Sequence, residues 1–188
     1  MAVYGASDAL NSTGMDWQTI LGHVNPDQIA VYSSSSMGQL DDDGTGGMLK
    51  SALQGKRTTS KHCPLGFGEM PADFINAYVL GSVGATGGAL GACATFLYNL
   101  EKGINDIQSR KRRVVIAGTS ESPVTPEIIE GYRVMGALAE DKGLLALDPH
   151  LTTPDYRRAC RPFADNCGFT IAESAQFVVL MDDELALE

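Results

Sequence analysis

The stretch GATGGALGACATFLYNLEKGINDIQ, residues 84–108, decides the fold. It begins with a glycine-rich turn, continues as a short strand of small residues, and becomes an amphipathic helix near Cys93. The predicted buried face of this helix consists of apolar residues at helical spacing: Phe96, Leu97, Leu100 and Ile104. A strand that leads directly into a helix predicts an α/β fold.

Apolar runs elsewhere predict further strands of the same sheet. QIAVYSSSSMG, residues 28–38, predicts a buried strand over residues 29–33 that opens into a polar loop. RRVVIAGTSES, residues 112–122, is the clearest parallel strand, and its Gly-Thr-Ser exit is where α/β sheets place active sites. A closing strand is predicted over residues 175–181.

The remaining segments predict helices and one long loop. Residues 2–24 form a helical pattern that is broken at Gly14, and further helices are predicted over residues 71–82 and from Pro126. Residues 38–74 are rich in Gly, Asp, Thr and Ser, and loops of that length are usually functional or partly disordered.

Composition excludes several classes of partner. The 188 residues, 44% of them hydrophobic, suffice for one domain with a sizeable core. A net charge of -9 argues against nucleic acid and anionic membranes. The four cysteines lack metal-ligand spacing, and no apolar run approaches the roughly 20 residues that span a bilayer. We therefore expect a cytoplasmic protein without a metal site.

Cys93 is the main candidate for chemistry, because it is predicted to stand where a strand of small residues ends and a helix begins. Partial positive charge and free N–H groups at a helix start stabilise a thiolate and can also bind an oxyanion. A thiolate there suits acyl transfer from another thioester. The alternative is an inert, buried apolar cysteine.

Four ordered blocks resemble the β-ketoacyl-ACP synthases, a family of thiolase-fold condensing enzymes. They are GACAT around Cys93, SSSSMGQL at residues 33–40, AGTSESPVTPEIIEGYRVMGALA at residues 117–139, and RPFADNCGFTIAESA at residues 161–175. Ala164, Cys167 and Ser174 depart from the family pattern in the last block. The segment over residues 41–73 is more like a divergent Gram-negative subgroup that starts chains from acetyl-CoA.

The resemblance implies a thiolase-like α/β fold in which residues 1–188 form an incomplete N-terminal half. Its mostly parallel sheet, of the five-stranded type, is expected to lack the first strand. The resemblance places that strand in the middle of the sheet, so its loss is expected to leave a slot lined by unpaired backbone groups, which are costly to bury.

The resemblance also implies a reaction and a set of partners. Cys93 accepts an acyl group, and Met37 and Tyr132 line the acyl tunnel, although both could be ordinary core residues. The expected partners are acyl carrier protein, acyl-CoA or acetyl-CoA, and a second copy that pairs through the strand near residues 85–92. No cofactor is expected.

Several residues of the family mechanism are absent from this sequence. Two histidines and a lysine belong to a C-terminal half, and His23, His62 and His150 stand outside the family's histidine motifs. These three are expected at a helix end, in a loop and in a turn, respectively. Glu173 is expected to be buried and to bind backbone N–H groups. Lys56, Arg57 and Lys61 could contact carrier protein or CoA phosphates, but solvated surface is the favoured interpretation.

Two other functions remain open. A thiolase shares the fold and the nucleophile but deprotonates acetyl-CoA with a second cysteine. A dimerising scaffold without catalytic activity is the alternative outside enzymes.

Overall fold

The structure, a computed structural model, describes residues 1–81 and 84–187. The chain forms two compact units, one made of Met1–Glu121 with the segment from Ser174 onward, the other of Ser122–Glu173. The strands are β1 (Ile29–Ser34), β2 (Ala85–Gly87), β3 (Val114–Glu121) and β4 (Ser174–Met181). The α-helices are α1 (Ala2–Ser12), α2 (Trp17–His23), α3 (Thr45–Ser51), α4 (His62–Gly66), α5 (Met70–Ile75), α6 (Thr95–Gln108), α7 (Pro126–Val134), α8 (Asp141–Leu147) and α9 (Asp183–Leu187).

The first unit is built on one sheet with the strand order β2-β1-β3-β4. The first three strands are parallel, and β4 is antiparallel to β3. β1 is buried throughout, as is the apolar half of β3, because helices cover both faces of the sheet. The predicted strands are all present and the sheet is mostly parallel as expected, but β2 ends at Gly87 rather than near residue 92.

The expectation of a slot in this sheet is wrong. β1 pairs directly with β3 over six residue pairs, from Ile29↔Val114 to Ser34↔Thr119. Their backbone groups therefore satisfy each other, and the four described strands form a continuous sheet.

Helices lie on both faces of the sheet in the first unit. On one face, Ala6 and Leu10 of α1 and Ile75 of α5 pack against Val31 and Ile116. On the other, α6 covers the alternate strand residues, including Tyr32 and Val115. The result is an α/β/α arrangement in which the carboxyl ends of the three parallel strands lie at one edge.

Helix α6 buries a different face from the one that its apolar pattern predicts. Leu97 is 60% exposed and Ile104 is 37% exposed. The buried residues of this helix, all of them small or polar, are Thr95, Asn99, Gly103 and Asp106. This polar face contacts the sheet because its side chains bind groups on the strands, which the apolar residues cannot do.

Asp106 and Gly103 show why helix α6 buries its polar face. The Tyr32 hydroxyl donates a hydrogen bond to the Asp106 carboxylate. Burial, followed by that hydrogen bond, raises the pKa of Tyr32. A Cβ at Gly103 would lie 2.8 Å from Leu180 Cδ1, so only glycine allows this close approach without displacing a neighbour.

The segment over residues 38–74 is more regular than a long loop, because it contains α3, α4 and the start of α5. The predicted helix at Pro71 is confirmed, although α5 begins one residue earlier and continues as a π-helical turn over Asn76–Leu80. Ser82, the last residue of the predicted helix, lies outside the described residues. None of the helices in the described ranges has the length and apolar character needed to cross a membrane.

The second unit contains α7, α8 and a 3₁₀ turn over Tyr156–Arg158. Leu138 and Phe169 form an isolated parallel bridge, which brings together the two ends of the segment between them. The Arg158 guanidinium donates to the Asp148 carboxylate and ties the end of α8 to the 3₁₀ turn. The predicted helix at Pro126 is confirmed as α7, with proline in its first turn.

Candidate active site

Cys93 lies on a tight turn between β2 and α6. Ala92–Ala94 form one 3₁₀ turn that leads directly into the 14 residues of α6, so the predicted location at a helix start is confirmed. The Cys93 side chain is exposed, so the alternative of a buried cysteine is wrong, and the reactivity of the thiol stays a prediction. An exposed thiol at the start of a long helix is well placed to act as a nucleophile.

The backbone of this turn adopts an unusual conformation. Ala92 has a φ of +48°, in the left-handed region that residues other than glycine and asparagine rarely visit. At Gly91 an added Cβ would lie 2.0 Å from Cε2 of Tyr98, so any other residue there would displace the ring of Tyr98. Cys93 is therefore presented on a strained turn that its surroundings must hold in place.

Buried polar side chains hold the loop before Cys93. The Asn99 side chain accepts a hydrogen bond from Ala89 N at 2.8 Å and donates to Ser34 Oγ at 2.9 Å. Ser34 Oγ in turn donates to the Ala89 carbonyl at 2.6 Å. The backbone N–H of Ala89 is thereby bound to Asn99 of α6, and its carbonyl is bound to Ser34 at the carboxyl end of β1.

A further set of hydrogen bonds holds the turn itself. Gly91 N donates to Thr95 Oγ1 at 3.1 Å, and Thr95 Oγ1 donates to the Ala92 carbonyl at 2.7 Å. The roles of Thr95 and Asn99 are not predicted by the sequence patterns described above. The sequence does contain a signal for them, because they are polar residues four positions apart on the helix face opposite the apolar residues.

The two residues predicted to line an acyl tunnel lie in different units. Met37 is half-buried in the first unit, one residue after Ser36, whose hydroxyl donates to the Ala92 carbonyl at 2.8 Å. Tyr132 is half-buried in α7 of the second unit, where its ring packs edge-on against Phe169 with centroids 5.4 Å apart. Met37 thus follows directly on the residue that contacts the cysteine turn.

Two predictions for individual residues are wrong. Glu173 is exposed rather than buried, because it precedes the first paired residue of β4. His62 begins α4 and is buried, rather than lying in an exposed loop, and its Nδ1 accepts a hydrogen bond from Thr59 N at 3.4 Å. The predictions for His23, in the last turn of α2, and for His150, in a turn, are confirmed.

The basic residues form two clusters of different character. Lys56, Arg57 and Lys61 are exposed, and Lys61 pairs with Asp43 at 3.3 Å. In the second cluster, each cation over residues 110–113 pairs with a carboxylate, including the bond of 2.7 Å from Arg113 to Asp182. The charge of the second cluster is therefore largely neutralised within the chain.

The fold and the cysteine turn define an α/β protein of the thiolase-like class, whose solved members include ketosynthases. The chain belongs to the β-ketoacyl synthase family: the model of the family's N-terminal domain matches residues 1–186. The resemblance seen in the four sequence blocks is therefore confirmed.

Among curated proteins, the chain is 62% identical over 187 residues to the β-ketoacyl-[acyl-carrier-protein] synthase FabY of Pseudomonas aeruginosa, covering 100% of this chain and 29% of that protein. It is 25% identical to 3-oxoacyl-[acyl-carrier-protein] synthase 2 of Staphylococcus aureus, covering 98% of this chain and 42% of the relative. The much higher identity to FabY confirms the predicted divergent subgroup. The chain spans less than half the length of either relative.

Solved structures agree with this placement. The crystal structure of the ketosynthase FabY from P. aeruginosa superposes with a TM-score of 0.93 at 61% identity, covering 100% of this chain and 29% of that one. A β-ketoacyl synthase from Burkholderia phymatum superposes with a TM-score of 0.73 at 22% identity, covering 99% and 42%. The second likeness supports the fold alone.

Proposed function

We propose that this chain supplies the nucleophile of a β-ketoacyl-ACP synthase, with Cys93 as the residue that carries the acyl group. The observation that carries the proposal is the exposed Cys93 on a strained turn at the start of α6. The matched family and the high identity to FabY agree with it. The matched family also favours this function over that of a thiolase.

The proposed reaction has two halves. In the first, the Cys93 thiolate attacks the thioester carbonyl of acyl-CoA or acyl carrier protein and expels the thiolate of the donor, leaving an acyl-enzyme. N–H groups at the start of α6 stabilise the oxyanion that forms during the attack. In the second, malonyl-ACP loses CO₂, and the resulting enolate attacks the Cys93 thioester. This step forms a carbon–carbon bond, releases the Cys93 thiolate and yields β-ketoacyl-ACP.

The general acid and base for decarboxylation come from residues beyond this chain. The proposed reaction needs no redox cofactor, because both thioester exchange and decarboxylative condensation are redox-neutral. Met37 and Tyr132 are proposed to line the acyl tunnel, and an acetyl-CoA primer follows from the subgroup resemblance. We place the reaction in the cytoplasm, since four free thiols suit a reducing compartment.

A homodimer is part of the proposal. β2 is an edge strand that is half-buried in the isolated chain, and its residues Ala85, Thr86 and Gly87 are small enough for close approach of another backbone. An edge strand of this kind offers unpaired backbone groups to a partner strand. The proposed partner strand is β2 of a second copy, related by a twofold axis.

The test uses the full-length protein that contains this chain. Incubation with acetyl-CoA or an acyl carrier thioester, followed by peptide mapping, is expected to find the acyl group on Cys93. Cys93→Ala is expected to abolish both acylation and condensation, whereas Cys63→Ala, which changes another exposed thiol, should leave both near the wild-type rate. Condensation at the wild-type rate by the Cys93→Ala protein would contradict the proposal. A dimer that acylates none of its cysteines would instead support the scaffold.

A further inference from the structure

The carboxylate of Glu121 lies at the carboxyl end of β3 and binds residues that follow β1. Its Oε2 accepts a hydrogen bond from Ser35 Oγ at 3.0 Å. Its Oε1 accepts one from the backbone N–H of Ser36 and another from Ser36 Oγ at 2.8 Å. The carboxylate therefore fixes both the backbone and the side chain of Ser36.

Ser36 connects this carboxylate to the cysteine turn. Its single hydroxyl proton is shared between Glu121 Oε1 and the Ala92 carbonyl oxygen, each 2.8 Å from Ser36 Oγ. Ser36 Oγ also lies 3.2 Å from Thr95 Oγ1, which donates to the same carbonyl. Two hydroxyl groups thus converge on the carbonyl of the residue before Cys93.

The hydrogen bonds to the Ala92 carbonyl matter because of the backbone conformation of Ala92. A residue with a side chain that is held at φ +48° relaxes to negative φ unless its surroundings oppose the change. Relaxation would rotate the peptide unit between Ala92 and Cys93 and redirect the thiol. The hydrogen bonds to the Ala92 carbonyl oppose that rotation directly, and Glu121 positions the donor of one of them by binding the backbone N–H of Ser36.

A purely structural role for Glu121 in joining β1 to β3 explains less of the geometry. Those strand ends are already joined by the backbone pairing at Ser34↔Thr119 and by the bond of 2.7 Å from Thr119 Oγ1 to the Ser34 carbonyl. Glu121 reaches past the last paired residue of β1, to the two serines that follow it.

We infer that Glu121, acting through Ser36, is a positioning residue that holds Ala92 in its left-handed conformation and so aims the Cys93 thiol at the incoming thioester. The inference rests on the proposed function in one respect, namely that Cys93 is the acyl acceptor. Neither Glu121 nor Ser36 needs to touch the substrate for this role.

The experiment compares Glu121→Gln, Ser36→Ala and the double variant in the full-length protein. Glutamine preserves the volume but presents an amide N–H₂ group to one of the two serines, and alanine removes only the hydroxyl. We expect each single change to slow acylation of Cys93 in a single turnover about tenfold, the effect of losing roughly one charge-assisted hydrogen bond. The acyl donor concentration at half-saturation should not change, because binding of the donor is unaffected.

The double variant tests whether the two residues act together. Since Ser36 and Glu121 belong to one chain of hydrogen bonds, the double variant should be no slower than the slower single variant. Independent roles would multiply the two losses. Glu184→Gln is the matched control, because it makes the same change at an exposed carboxylate of α9 that pairs with Arg110 and does not reach the cysteine turn. Its acylation rate should stay at the wild-type value.

The outcomes separate this inference from the proposed function. If the wild-type protein does not acylate Cys93 at all, the proposed function fails. If the wild type is acylated there but both single variants react at its rate, or if their losses multiply in the double variant, only the positioning role fails. Should Glu121→Gln not fold, Ser36→Ala decides alone: a slowing of about tenfold supports the role, and an unchanged rate overturns it.

Discussion

At the scale of single residues, the cysteine turn depends on close approaches that small side chains allow. Gly91 accommodates the ring of Tyr98, and Ala92 takes a backbone conformation that polar neighbours stabilise. Met37 belongs to the same neighbourhood, because it follows Ser36 directly. Met37, whose side chain is half-buried, is therefore the residue to substitute when testing where an acyl chain lies.

Met37→Trp in the full-length protein is expected to shorten the longest acyl group that Cys93 accepts. Added side-chain volume in an acyl tunnel should slow reaction with long acyl donors by about tenfold or more, while acetyl donors react as before. Acylation rates over a series of chain lengths measure this. Met48→Trp is the control, since Met48 is 38% exposed on α3 and should accept tryptophan without a change in chain-length preference. An unchanged preference in Met37→Trp would make Met37 an ordinary core residue.

At the scale of secondary-structure elements, Asp182 joins three of them. Its carboxylate accepts hydrogen bonds from Arg113 Nε at 2.7 Å, just before β3, and from Leu185 N at 2.8 Å, in the first turn of α9. Asp182 itself follows the last residue of β4. The bond from Arg113, and then that from Leu185, lower the pKa of Asp182 against the opposing effect of burial.

Asp182→Asn is expected to lower the thermal midpoint of the full-length protein at pH 7, by an amount equivalent to about 1 kcal/mol of stability. Because folding lowers the pKa of Asp182, its stabilisation is complete above the unfolded pKa, near 3.8, and is lost as the pH falls through the folded value. The difference between wild type and variant should therefore be constant above about pH 5 and shrink in more acidic solution.

Glu130→Gln provides the control for this prediction. Glu130 forms an equally well-aligned pair with Arg133 on α7, but both side chains are more than half exposed. Solvent screening should make its loss undetectable in the same measurement. Equal effects of the two substitutions would show that burial of the Arg113–Asp182 pair does not increase its contribution to stability.

At the scale of the whole molecule, the chain leaves large apolar side chains in solvent. Leu53 is 90% exposed, Leu49 is 65% exposed, and the apolar side of α6 is uncovered at Leu97. Apolar surface of this extent, on several elements, is typical of faces that other protein covers. The edge strand β2 adds unpaired backbone groups to this surface.

A polypeptide of residues 1–188 expressed alone is expected to aggregate, exchange elements between copies or remain partly unfolded. The full-length protein should sediment as a homodimer under the same conditions. Sedimentation velocity and amide hydrogen exchange on both proteins measure these outcomes. A fully protected monomer of residues 1–188 would contradict the prediction that these residues are an incomplete half of a domain.

The sequence by itself determined the strands and the position of Cys93. The apolar runs of β1 and β3 are buried on both faces, so their composition identifies them without knowledge of their neighbours. The motif around Cys93 lies between a strand and a helix that are adjacent in sequence, so local pattern was sufficient. The family blocks added the class of enzyme, and the matched family model confirmed it.

Only the tertiary structure decided which polar groups meet. Ser36 and Glu121 are 85 residues apart, and Asn99 and Ser34 are 65 apart, so no local pattern pairs them. For the same reason the sequence assigned a buried carboxylate to Glu173, which is exposed, and did not predict that Glu121 binds the backbone N–H of Ser36. The buried face of α6 was mispredicted because hydrophobicity selects the apolar face, while hydrogen bonds to the strand ends select the polar one. Such bonds depend on which strand lies beside which, and that order exists only in the folded sheet.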